Sequence, residues 1–219
     1  MNGDAAVQSG ASTSGSRERY RAIPEELRHL RRWGLRKAGK TYAVVGNELV
    51  QLSGSWQELA RWMAFEDALA AIEKYGADGL TFFAFPQLMD DPEPVLLYIE
   101  NCRDPTTGEI SQWARSRIER LQPFYVEVSV TECDLTCFVI ARYICDSKQA
   151  RAINGEPAEF VQSIASYREV DQKQVAQRAI AILSDNPCEL TGVAVDDLCS
   201  PARDMTAEFC TTFGLSLPA

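Results

Sequence analysis

Two short apolar runs, Leu80-Thr81-Phe82-Phe83-Ala84-Phe85 and Val95-Leu96-Leu97-Tyr98-Ile99, constrain the fold more than any other part of the chain. Runs this continuous and this rich in aromatic and branched residues read as strands that must be covered on both faces. The acidic stretch Asp90-Asp91-Pro92-Glu93-Pro94 separates them as a loop. They are expected to be neighbouring strands of a central sheet, with Val95 to Asn101 in the middle.

The surroundings supply the cover. Ile23-Pro24-Glu25-Glu26-Leu27 places a proline where it can open a helix, and Leu27, Leu30 and Trp33 recur at helical spacing, which predicts a short helix running to about Trp33. Thr41 to Leu52, with Gly46-Asn47 in its middle, predicts a hairpin. Ser55 to Tyr75 carries Trp56, Leu59, Trp62, Met63, Phe65, Leu69 and Ile72 at helical period and stops at Gly76, so one or two helices are expected. Ser111 to Leu121 reads as an amphipathic helix capped by Ser111, and Tyr125 to Ser129 and Leu135 to Ile144 as two further strands. Glu159 to Tyr167 and Gln172 to Leu183 look helical, and from Asn186-Pro187 onward a loop with a helix around Thr206 to Thr212 is expected. The order implies an α+β fold: a central mixed or antiparallel sheet flanked by helices, with a small helical C-terminal part. The expected division is a disordered tail over residues 1–16, a main domain over 17–145 and a helical extension over 146–219.

Charge narrows the function. The chain of 219 residues has a net charge of −9, yet Arg17, Arg19, Arg21, Arg28, Arg31, Arg32, Arg36, Lys37 and Lys40 crowd one segment that holds only Glu18, Glu25 and Glu26 as acids. From residue 62 onward 12 basic residues face 25 acidic ones, so most of the surface repels a phosphate backbone. Only the basic segment is a candidate nucleic-acid contact, a weak one; its alternative is a solvated helix face. Seven cysteines without a C-x-x-C pair, and a single histidine, His29, give no metal-ligand spacing. No metal or cofactor is expected. The polar N-terminal stretch resembles no signal peptide and no apolar run is long enough to span a bilayer, so a cytoplasmic location without membrane insertion is expected.

The segment Ile99-Glu100-Asn101-Cys102-Arg103-Asp104-Pro105-Thr106-Thr107-Gly108-Glu109-Ile110-Ser111, followed by Trp113-Ala114 and by Val126-Glu127-Val128-Ser129, resembles the N-terminal primase-polymerase domain of phage and plasmid replication proteins, in the archaeo-eukaryotic primase superfamily. Upstream, Ile23-Pro24-Glu25-Glu26-Leu27, Trp33, Trp56, Glu66 to Ala71 and Gly76-Ala77-Asp78-Gly79 are similar to that family in the same order. The likeness spans roughly residues 23 to 141.

The resemblance implies a site at which two carboxylates in a D-x-D step hold divalent metals, and an S-x-S-G-x-G-x-H turn admits the nucleotide's phosphates. Here the first pair is Tyr98 and Glu100. A phenol is no hard anionic ligand at neutral pH. The turn aligns with Ser129, Val130, Thr131, Glu132, Cys133, Asp134, Leu135 and Thr136, so both glycines are acids and the histidine is a threonine. The degenerate positions Tyr98, Glu100, Thr131 and Thr136 imply that no catalytic residue remains. The expectation is a catalytically inactive, regulatory or binding protein of a plasmid or phage. It would act in replication, maintenance or conjugative transfer through a protein of that machinery, with fertility inhibition as one version. The alternatives are a divergent metal-dependent polymerase or nuclease using Glu100 with Glu132 or Asp134, and a DNA-binding accessory protein using segment 17–40.

Overall fold

Alternation along Val95 to Ile99 decides the layout. In the computed structural model, Val95, Leu97 and Ile99 enter one hydrophobic cluster while Leu96, pointing the other way, enters a second. The strand is thus covered on both faces, as the continuous apolar run requires. The structure describes residues 18–53, 56–84, 91–142, 168–170, 179–183, 187–213 and 217.

The described residues form an α+β fold with two five-stranded sheets, all of whose strand pairs are antiparallel. The first has the order β10-β4-β1-β2-β3, from β1 (Trp33–Lys37), β2 (Lys40–Val45), β3 (Glu48–Gln51), β4 (Gly79–Phe83) and β10 (Pro187–Leu190). The second runs β6-β7-β5-β9-β8, from β5 (Glu93–Ile99), β6 (Tyr125–Val128), β7 (Leu135–Ala141), β8 (Arg168–Val170) and β9 (Ala179–Leu183).

Four α-helices accompany them among the described residues: α1 (Glu25–Arg28), α2 (Phe65–Tyr75), α3 (Gln112–Leu121) and α4 (Thr206–Phe213), with a 3-10 turn at Trp56–Arg61 before α2. Phe65, Ala68 and Ile72 bury one stripe of α2, and Glu66 and Asp67 sit favourably at its N-terminal end. Gly76 at φ 57 ends it with two reverse bonds, Gly76 N–H to the Glu73 carbonyl and Ala77 N–H to that of Ile72. On α3, Ala114, Ile118 and Leu121 face inward at helical spacing, and the Ser111 hydroxyl accepts the Ala114 N–H. This stripe packs with Phe209, Cys210 and Phe213 of α4 against Val95, Leu97, Ile99, Leu135 and Val139. The other cluster joins both sheets and α2; Phe82 of the first sheet meets Phe138 of the second edge to face at 5.4 Å.

The hairpin over Thr41 to Leu52, the two helical pieces before Gly76, the capped helix after Ser111, the strands near Tyr125 and Leu135 and the helix at Thr206 lie where the sequence puts them. Other expectations are corrected. The first helix stops at Arg28, and Trp33 opens β1 by exchanging backbone hydrogen bonds with Met63. Its spacing from Leu27 reflects an indole N–H donated to the Leu27 carbonyl at 3.2 Å, not a continued helix.

Leu80 to Phe83 and Val95 to Ile99 lie in different sheets: β5 is central, but between β7 and β9. The cause is β1, where Gly34 lies opposite Thr81 and a Cβ there would sit 2.9 Å from the threonine hydroxyl, so β1 can take β4 as its own partner. Gln172 to Leu183 is not helical over its described part, since Ala179–Leu183 pairs with β5. Pro187–Leu190 is a strand and not a loop; Pro187 begins an edge strand, where its missing N–H matters least. Residues 146–219, expected as a helical extension, therefore supply strands to both sheets. Residues 1–16 and the helix expected at Glu159 to Tyr167 lie outside the described residues.

Candidate functional site

Register places the resemblance's chemical positions in one row. Tyr98 of β5 pairs with Thr136 of β7, which pairs in turn with Glu127 of β6, so the three side chains share a face of the second sheet. Farther along that face stand Leu96, Phe138 and Tyr125, which belong to the inter-sheet core. The polar residues thus gather where β5 ends and the β6–β7 loop turns.

That loop is closed by its own side chains. Asp134 is 6% exposed, and its carboxylate accepts from the Tyr98 hydroxyl at 2.6 Å, the Thr131 hydroxyl at 2.6 Å, the Asn101 N–H at 2.7 Å and the Cys133 thiol at 3.6 Å. Two donors per oxygen occupy the carboxylate's lone-pair directions, and a metal would have to displace one of them. Burial pushes the Asp134 carboxyl up, but the bonds from Thr131, Tyr98 and Asn101 outweigh it and hold its pKa below the usual range. Burial, then the bond to Asp134, raise the Tyr98 phenol to about 12, and Ser129 Oγ lies 3.1 Å from its oxygen.

The backbone is held just as firmly. Cys102 and Arg103 both donate their N–H groups to the Cys133 carbonyl, and the Arg103 guanidinium donates to the Glu132 carbonyl at 2.7 Å. Glu132 itself is exposed and sits at φ 62, a left-handed conformation unfavourable for a side-chain-bearing residue. Asp104 organises the turn that follows β5: its carboxylate accepts the N–H groups of Thr106 and Thr107 at 2.7 and 3.1 Å, which lower its pKa. The Ser111 N–H then closes back on the Cys102 carbonyl before α3 begins.

Behind the loop lies a second carboxylate, which the sequence presents only within the Val126-Glu127-Val128-Ser129 motif. Glu127 is fully buried and accepts the N–H groups of Thr191 and Gly192 at 2.9 and 3.0 Å and the Tyr125 hydroxyl at 2.9 Å. Burial raises its pKa to about 7 despite these bonds. Thr191 and Gly192 follow β10, so Glu127 fastens the exit of the first sheet to β6 of the second. A Cβ on Gly192, at φ 70, would lie 2.5 Å from the Arg19 carbonyl oxygen, so nothing larger than glycine fits there.

Of the residues expected to act together, the structure unites Tyr98 and Thr131 around Asp134, leaves Thr136 fully buried in the row behind them, and sets Glu100 half-buried just past β5. Asp134 is thus a buried acceptor and not a solvated acid. Among the described residues no group of three or more His, Cys, Asp or Glu side chains is arranged to hold a metal ion. Among those residues, too, no helix is long and apolar enough to cross a membrane.

The basic segment is not laid out as one free face. Arg32 pairs with Glu93 at 2.5 Å and Arg36 with Glu189 at 3.2 Å; Lys37 donates to the Tyr75 carbonyl and Arg31 to that of Trp62. Arg19 lies over the Tyr20 ring and Arg28 over that of Phe65. Arg21 pairs with Glu18 at the surface, Lys40 is exposed on β2, and Arg17 lies outside the described residues. No protein-family model matches this chain, and no curated protein does so either.

Proposed function

We propose that this chain is a non-catalytic member of the primase-polymerase-like group, from a plasmid or phage, which acts by binding a protein of a replication or transfer machinery. The observation that carries the reading is the bond from Tyr98 to Asp134. Tyr98 stands where the resembled family has a metal-binding aspartate, and Asp134 where it has a glycine that admits phosphate. Joined at 2.6 Å, and with Ser129 and Thr131 drawn in, they turn on one another the oxygens a metal would take, which supports a site that holds neither metal nor triphosphate. The left-handed φ of Glu132, at the family's other glycine position, supports a glycine-built turn whose shape outlasted its glycine.

Two requirements of nucleotidyl transfer fail independently: capture of two metals, and an electropositive cradle for phosphate. Interference with another element's conjugative transfer is one concrete form of the function. The test is incorporation of labelled nucleotide on a primed template, and of ribonucleotides without a primer, in Mg²⁺ and in Mn²⁺. The expected result is no product above a no-enzyme control. Synthesis that disappears in Glu100→Ala would replace this reading with a rebuilt active site around Glu100.

A further inference from the structure

Outside the sealed loop, the first sheet and α2 leave an open cleft of about 540 Å³. Its floor includes Val44 and Met63, over the fully buried Trp62, and α2 contributes Ala70 and Ala71 to its wall. Gly46, Ala60 and the two alanines present almost no side chain, which leaves room for a polypeptide backbone to lie close. Around this apolar bed stand Arg31, Arg61 and Lys74 against a single acid, Asp67. In a chain of net charge −9 this is a local reversal of sign.

The cations reach the cleft from its rim. Arg61 is 52% exposed and only loosely paired with Glu58 at 3.7 Å, and Lys74 lies over the Tyr75 ring with its ammonium 5.0 Å from the centroid. Val45, 46% exposed, extends the apolar surface onto the β2–β3 turn.

We propose that this cleft is the docking site for an acidic linear segment of a protein partner, with an aliphatic or aromatic anchor seated among Val44, Met63 and Ala70 and Asp or Glu side chains reaching Arg61 and Lys74. The inference rests on the protein-partner reading above and gives it a place and a chemistry. Single-stranded nucleic acid fits less well. Its bases need free aromatic faces, whereas Trp62 is fully buried and stacked on Phe83 at 4.9 Å, and the half-buried Tyr75 ring is covered by the Lys74 ammonium. A phosphate backbone would also leave the apolar bed unused and meet the acidic remainder of the surface.

The test pans a randomised peptide display library on the immobilised full-length protein. Enriched sequences are expected to set acidic residues beside an apolar anchor. As synthetic peptides they should bind about tenfold or more weakly to Lys74→Glu, which reverses a rim charge, and to Ala70→Trp, which fills the cleft. Both positions are exposed on α2, so melting temperatures should stay near wild type; Arg61→Glu replaces either variant if it fails to fold.

Enriched peptides indifferent to these substitutions would place the partner site elsewhere, overturning the cleft but not the protein-partner reading. No enrichment at all would overturn the cleft as a peptide site. Binding of a labelled oligodeoxythymidylate that Lys74→Glu abolishes, with no peptide enriched, would assign the cleft to nucleic acid and count against both.

Discussion

Tyr98→Phe isolates the interaction on which the proposed function depends. The substitution keeps the ring and removes the hydroxyl that donates to Asp134 at 2.6 Å. A hydrogen bond to a charged acceptor contributes about 1.5–3 kcal/mol, and because Tyr98 is only partly buried the lower end applies, about 2 kcal/mol. For a chain of this size that is a fall in Tm of roughly 4–8 °C.

The pH dependence gives the sign. Asp134 has a lowered pKa, so its contribution is fully present above the ordinary aspartate value and is lost as pH falls through the lowered one. The gap between wild type and Tyr98→Phe should therefore stay constant at neutral pH and close only in strong acid. Tyr98→Asp introduces the acid that the resembled family carries at this position but sets a second carboxylate against Asp134. It should be less stable than Tyr98→Phe at neutral pH, and should recover on mild acidification as the pair comes to share a proton. Urea denaturation across pH, with and without Mg²⁺, measures all three proteins. A Tyr98→Asp protein as stable as wild type at neutral pH, and further stabilised by Mg²⁺, would refute the argument that this site is filled rather than vacant.

Further expectations concern the same region. Glu132→Gly removes a left-handed side-chain-bearing residue and should stabilise by up to about 1 kcal/mol in denaturant titration, the relief of backbone strain exceeding the added freedom of the unfolded chain. Gly192→Ala should destabilise by more than about 2 kcal/mol in the same assay, because the new Cβ meets backbone and not a movable side chain. Glu127 has a folded pKa raised to about 7, so the folded state binds the extra proton; stability should be greatest below the ordinary glutamate value and decline as pH rises towards 7. In Glu127→Gln that decline should vanish from the stability profile.

Local signals were legible in the sequence where structure is local. Gly46-Asn47 marks the hairpin, Gly76 stops α2 and Ser111 caps α3, because each acts on residues within a few positions of itself. The candidate site was legible in part: Tyr98, Thr131 and Thr136 were singled out, but as losses. That Asp134 gathers Tyr98 from 36 positions away is a matter of register, and no pattern within β5 or the loop announces it. A hint lay in Thr131 and Asp134, three apart in a polar turn, a spacing suited to a side-chain bond across the loop. Glu127 was legible only as far as Tyr125, two positions away on the same strand face; its other partners, Thr191 and Gly192, offer backbone N–H groups, which no residue type advertises. Trp33 misled because a three-residue apolar spacing also suits a short turn followed by a strand.

The late strands set when the molecule can be finished. β9 pairs with β5 and β10 with β4, so each of these partner strands waits on a segment made long after it. Such pairings have high contact order and close slowly. During synthesis, before residues 179–190 emerge, both β4 and β5 present a bare row of backbone donors and acceptors, the kind of edge on which chains aggregate. A nascent or truncated chain ending near residue 145 would therefore be a sticky intermediate, and the protein's yield should depend on how quickly β9 and β10 follow.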